Sequence, residues 1–130
     1  MSGLGKPVEI LPTTKVRWFA AWRSVTTRKE IRQFANRVAQ EFRPQKIILF
    51  GSYAYGKPTA ASDVDLLVVM PVRGDTVRKA VEIELQLRAR FPLDLLVRTP
   101  QKVRRRLALD DWFMRDILEK GTVLSEAADA

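Results

Sequence analysis

Hydrophobic residues in this chain change their spacing several times, and each change marks an element. Ile31, Phe34, Ala35, Val38, Ala39 and Phe42 recur at three- and four-residue intervals, which predicts a helix over 28–43 with one apolar face. Thr27-Arg28-Lys29-Glu30 ahead of it has the spacing of a capping box, and Pro44 stops it. Lys46-Ile47-Ile48-Leu49-Phe50 then reads as a short buried strand ending at Gly51. Residues 52–55 allow a helical turn, while Gly56, Pro58 and Ser62 mark a loop. The run from Val64 to Met70 is apolar on both faces, as a covered central strand requires, and Pro71 and Gly74 end it. Asp75 is placed to cap a helix over 76–90, whose Val77, Ala80, Val81, Ile83, Leu85 and Leu87 give a broad apolar side. Pro92 opens a third strand, Leu93 to Arg98. Pro100 starts a helix through Leu107, and Asp110 caps another through Lys120, ended by Gly121.

The predicted order is helix, strand, strand, helix, strand, helix, helix, an α/β chain with a small sheet covered by helices. Trp112, Phe113, Ile117 and Leu118 read as core of the last helix. Arg104-Arg105-Arg106, with Lys102 beside them, read as a solvated helix surface, because successive helical residues turn by about 100° and three in a row cannot share one face. Residues 1–26 carry two glycines, two prolines and the aromatics Trp18, Phe19 and Trp22 without a clear period. They are expected to form an N-terminal arm whose aromatics pack on the domain or meet a partner, with the domain itself over 27–130.

A chain of 130 residues fits one domain and can bury an ordinary core. It has no cysteine and no histidine, which excludes disulfides, thiolate catalysis, the Ser-His-Asp triad and the usual zinc ligands. Any metal must then be a hard cation on carboxylate oxygens. The longest apolar stretch, Leu66 to Val72, is far short of a membrane span, and the N-terminus has no apolar signal core, so no membrane association and a cytoplasmic location are expected. The net charge of +8 favours polyanions: a nucleotide triphosphate, nucleic acid or an acidic protein.

The segment that carries chemistry is Gly51-Ser52, ten residues, then Asp63-Val64-Asp65. Aspartates at i and i+2 of a strand project from one face, so both carboxylates can converge on one cation or a close pair. Gly51 lets the backbone turn sharply at the strand end, where N–H groups and the Ser52 hydroxyl can meet an anion. Neighbouring strands would bring phosphates at Ser52 to a metal at the aspartates. Asp94, between Phe91-Pro92-Leu93 and Leu95-Leu96-Val97, is poorly solvated unless it faces the site. There it could complete a metal cluster or take a proton from an attacking hydroxyl.

Gly51-Ser52-Tyr53-Ala54-Tyr55-Gly56-Lys57 followed by Ser62-Asp63-Val64-Asp65-Leu66-Leu67-Val68 resembles the motif of the DNA polymerase β-like nucleotidyltransferase superfamily. The small size is similar to its minimal nucleotidyltransferase (MNT) group. The resemblance covers about 27–124 and implies a small mixed sheet of three to four strands. It further implies that Gly51 and Ser52 bind the triphosphate, that Asp63, Asp65 and Asp94 bind Mg2+, and that Asp94 helps deprotonate the acceptor. Many relatives have an arginine where this chain has Tyr55, so a phosphate contact is missing here or passes to Lys57.

Together these observations give the expectation of a Mg2+-dependent nucleotidyltransferase that moves a nucleoside monophosphate, AMP from ATP, to a hydroxyl. The resemblance adds a partner, since minimal nucleotidyltransferases are often paired with a helical HEPN ribonuclease, which they block as an antitoxin by adding AMP to a tyrosine. Two alternatives are modification of a small hydroxyl compound such as an antibiotic, and a non-catalytic module that binds nucleic acid through the basic surface.

Overall fold

The computed structural model describes residues 25–128. The N-terminal arm and its aromatics Trp18, Phe19 and Trp22 therefore lie outside the described residues. Nine elements follow in order: α1 (Arg28–Phe42), β1 (Lys46–Phe50), α2 (Ser52–Tyr55), β2 (Val64–Val69), α3 (Thr76–Leu87), β3 (Leu93–Arg98), α4 (Pro100–Ala108), α5 (Trp112–Lys120) and β4 (Thr122–Glu126). The strands form one mixed sheet in the order β3-β2-β1-β4. β1 is antiparallel to both β2 and β4, and β2 is parallel to β3, with α3 as the crossover between them.

Strand alternation sorts the apolar residues into two cores. One face carries Ile47, Leu49, Val64, Leu66, Val68, Leu95 and Val97, and packs on Ile31, Phe34, Ala35 and Val38 of α1 and on Ala80, Ile83 and Leu87 of α3. The opposite face carries Ile48, Phe50, Leu67 and Val69, and packs on Val103 of α4 and on Met114 and Ile117 of α5. β1 and β2 are thus covered on both sides, which is why their sequences are apolar throughout. Among the described residues no helix is long and apolar enough to cross a membrane.

The capping box at Thr27 forms as its spacing predicts: the Glu30 amide donates to Thr27 Oγ1 at 3.1 Å, and the Thr27 amide donates to Glu30 Oε1 at 2.8 Å. Several predicted boundaries move. α1 stops at Phe42, because Arg43 adopts a left-handed conformation, φ 49°, ahead of Pro44. β2 ends one residue earlier than predicted, at Val69, and α4 one later, at Ala108. α3 ends at Leu87 rather than 90: Arg88 is left-handed at φ 48°, and the Arg37 guanidinium of α1 donates to the Leu87 carbonyl at 2.7 Å. The cap of α5 is Asp111 and not Asp110, since Asp111 Oδ1 accepts from the amides of Phe113 and Met114, while Asp110 turns left-handed before it. The predicted order also lacks β4, a half-exposed edge strand whose register on β1 shifts between Ile47 and Ile48.

Candidate active site

The site lies at the end of the sheet where β1 finishes and β2 and β3 begin. Phe50 is paired with Asp65 across β1 and β2, and Asp65 with Asp94 across β2 and β3. These three residues therefore form a single row over neighbouring strands, on the face covered by α4 and α5. Asp63 precedes β2 by one residue, close enough for its charge to act on Asp65. The structure thus brings Asp63, Asp65 and Asp94 to one corner of the sheet, as the sequence predicts, although Asp63 sits at the strand's entry and not within it.

Asp65 is the most perturbed of the three. It is half-buried, and its carboxyl is pushed up from 3.8 to about 6, first by burial, then by the negative charges of Asp94 and Asp63. Asp94 itself is exposed, so the apolar residues on either side of it in sequence do not desolvate it. The reason is alternation: Leu95 and Val97 point into the opposite core, while Asp94 points to the open side. A fourth acid belongs to this field. Glu84 of α3 has its carboxyl raised by burial and by Asp94. Its place on the polar side of a helix gave no sequence signal for it.

Gly51 joins β1 to α2 with φ 74°, a conformation that side chains rarely adopt. A Cβ at this position would also overlap the Asp65 carboxylate. The turn and the central acid are therefore in direct apposition, which is the closeness that the spacing of Gly51-Ser52 and Asp63-Val64-Asp65 predicts. Ser52 opens the four-residue α2, in which the amides of Ala54 and Tyr55 donate to the Gly51 carbonyl. Lys57 is exposed in the loop after α2 and forms no ion pair among the described residues.

Tyr55, at the position where a basic residue is common in the resembled motif, donates its hydroxyl to Asp116 Oδ2 of α5 at 3.3 Å. The other oxygen of Asp116 is 3.1 Å from the Lys120 ammonium. The sequence did not reveal this link between the glycine turn and α5. Of the residues read as core of α5, Ile117 is buried and Leu118 partly so, but Trp112 is 73% exposed and Phe113 44%. The first turn of α5 thus leaves its aromatic side chains largely in solvent, which corrects the reading of all four as core. Arg104, Arg105 and Arg106 are exposed on α4, as predicted for a solvated face.

Among the described residues, no three acidic side chains are drawn together tightly enough to form a ready cage for a metal ion. The donor set nevertheless suits a hard divalent cation: oxygen ligands in one row, with a central carboxyl whose mutual repulsion with its neighbours such a charge would relieve.

Comparison with known proteins agrees with this geometry. A family model described as a nucleotidyltransferase domain matches residues 31–125. A Methanocaldococcus jannaschii protein named as a candidate protein adenylyltransferase, MJ0604, is 35% identical over 99 residues, covering 74% of this chain and 95% of the relative. The crystal structure of a candidate nucleotidyltransferase from Sulfolobus solfataricus superposes with a TM-score of 0.52 at 18% identity, covering 95% of this chain and 90% of that one, a likeness of fold. The crystal structure of a toxin-antitoxin pair, MntA-HpeT, matches with a TM-score of 0.49 and 17% identity over 75% of each chain. With the glycine-serine turn set against a row of aspartates, and a family match over nearly the whole described domain, the chain belongs to the nucleotidyltransferases, and within them to the minimal nucleotidyltransferase family.

Proposed function

We propose that this nucleotidyltransferase moves AMP from ATP to a hydroxyl group of a protein acceptor in the cytoplasm, with Mg2+ as the assisting cation. The observation that carries the reading is the apposition of the Gly51 turn and the Asp65 carboxylate, with Asp94 beside it in register. Asp63, Asp65 and Asp94 would hold the metal, which when bound neutralises charge on the triphosphate. Gly51 and Ser52 hold the phosphates against this corner, and Lys57 adds positive charge from the following loop. Asp94, exposed at the site's open edge, accepts the proton from the acceptor hydroxyl at a carboxylate oxygen. The acceptor oxygen bonds to the α-phosphorus, the bond from that phosphorus to the bridging oxygen breaks, and pyrophosphate leaves. Positioning and charge neutralisation supply most of such a rate, so a small domain without histidine suffices.

A protein acceptor is supported by the relative's name as a protein adenylyltransferase. The resemblance to the minimal family points further, to a tyrosine of a HEPN-type toxin. The test is to convert Asp63 or Asp65 to Asn and follow pyrophosphate release and acceptor labelling. Each variant is expected to melt as a folded protein and to lose transfer by a factor of roughly a thousand or more, the scale of removing a key electrostatic group. Wild-type turnover in either variant contradicts the assignment.

A further inference from the structure

The first turn of α5 presents a large aromatic surface to solvent in an unusually fixed way. Trp112 is 73% exposed and Phe113 44%, and the preceding Leu109 is 68% exposed. Their backbone is well anchored: Asp111 caps the helix through the amides of Phe113 and Met114, and ion pairs join Arg106 to Asp111 and Arg115 to Asp110. Aromatic area held rigid yet left in water is a feature of binding surfaces.

These rings also form a path to the carboxylates. The Phe113 ring meets Phe50 edge-on at 5.9 Å, and the Trp112 ring meets Phe113 edge-on at 6.3 Å. Phe50 is the direct cross-strand partner of Asp65, and such partners stand roughly 5 Å apart. An aromatic row thus begins beside the central acid and ends in solvent at Trp112. A second tie from the site to the same helix runs from Tyr55 to Asp116, three residues along α5 from Phe113.

We propose that Trp112, held edge-on against Phe113, is the stacking platform for the nucleobase of the incoming triphosphate. The proposal rests on the nucleotidyl-transfer reading above and adds what that reading lacks, a place for the base. With the phosphates at the Gly51 turn and the metal corner, the sugar leads along Phe50 and Phe113 and the base lies on the more exposed ring, Trp112. Stacking on a π-face tolerates different bases and favours the larger purines. It needs no hydrogen-bonding pocket, which suits a domain of this size.

Calorimetric titration of the full chain, in Mg2+, with ATP and with inorganic tripolyphosphate separates base from phosphate. The wild type binds both. Trp112→Ala, at an exposed position, keeps its thermal melt, weakens ATP binding roughly ten- to a hundredfold, and leaves tripolyphosphate affinity within about twofold. Trp112→Phe recovers most of the lost ATP affinity. Equal ATP affinity in Trp112→Ala and wild type overturns the platform, as does an equal loss for both probes, which would place the disturbance at the phosphates. Unchanged ATP affinity with an altered molecular size by light scattering overturns it in favour of a contact between copies. A wild type that binds neither probe contradicts the nucleotidyl-transfer reading itself, and the platform falls with it.

Discussion

Asp65 sits where burial and two neighbours make its charge costly: it is half-buried, Asp94 lies in register beside it and Asp63 stands two residues before. Because its carboxyl is raised in the fold, folding favours the protonated acid. In the metal-free protein this group therefore contributes most to stability below about 3.8, and that contribution is lost as the pH rises to about 6. Metal-free Asp65→Asn is expected to be more stable than wild type at pH 7, by about 1 kcal/mol once solvent screening of a half-exposed group is discounted. The gain should vanish near pH 4. Mg2+ should raise the wild-type melting temperature and leave that of the variant nearly unchanged. Thermal melts across pH 4–8, with and without Mg2+, read both effects. The sequence made Asp63, Asp65 and Gly51 legible because spacing on a strand and a glycine at its end have direct geometric meaning. It left two environments open for Asp94, and strand alternation, which turns Leu93 and Leu95 to the other face, gives it the solvated one. Glu84 and Asp116 were not legible, because their proximity to the site comes from tertiary packing of helices.

Among the elements, α1 depends most on a local signal. Its N-terminus is closed by reciprocal bonds between Thr27 and Glu30, and its apolar residues Ile31, Phe34, Ala35 and Val38 form much of one core. Thr27→Ala should cost about 1 kcal/mol, seen as a lower midpoint in urea with an unchanged slope. Elements with strong periodicity or caps, such as α1 and α3, were legible, as were β1 and β2, which are buried on both faces. Their ends were not, where left-handed Arg43 and Arg88 close a helix without the glycine that usually marks this. β4 escaped because Thr122-Val123-Leu124-Ser125-Glu126 has no clean alternation and gains its structure from pairing with β1. The exposed start of α5 escaped for a related reason: aromatic residues at helical spacing look like core until the packing around them is known.

At the scale of the whole molecule, one sheet divides the labour. The face under α1 and α3 is a closed core, while the face under α4 and α5 is core at one end and acidic at the other. The acidic corner sits in a chain of net charge +8, so the surrounding field draws a triphosphate towards a site that would repel it without a cation. The central claim is that this corner transfers the nucleotidyl part of ATP. It is tested most directly by incubating the purified chain and Mg2+ with an extract of its source cells and ATP labelled at either the α- or the γ-phosphorus. Label from α-ATP should appear on a polypeptide, label from γ-ATP should leave as pyrophosphate, and Asp63→Asn should abolish the first. Transfer of the γ-label, or α-labelling that survives Asp63→Asn, would contradict the account.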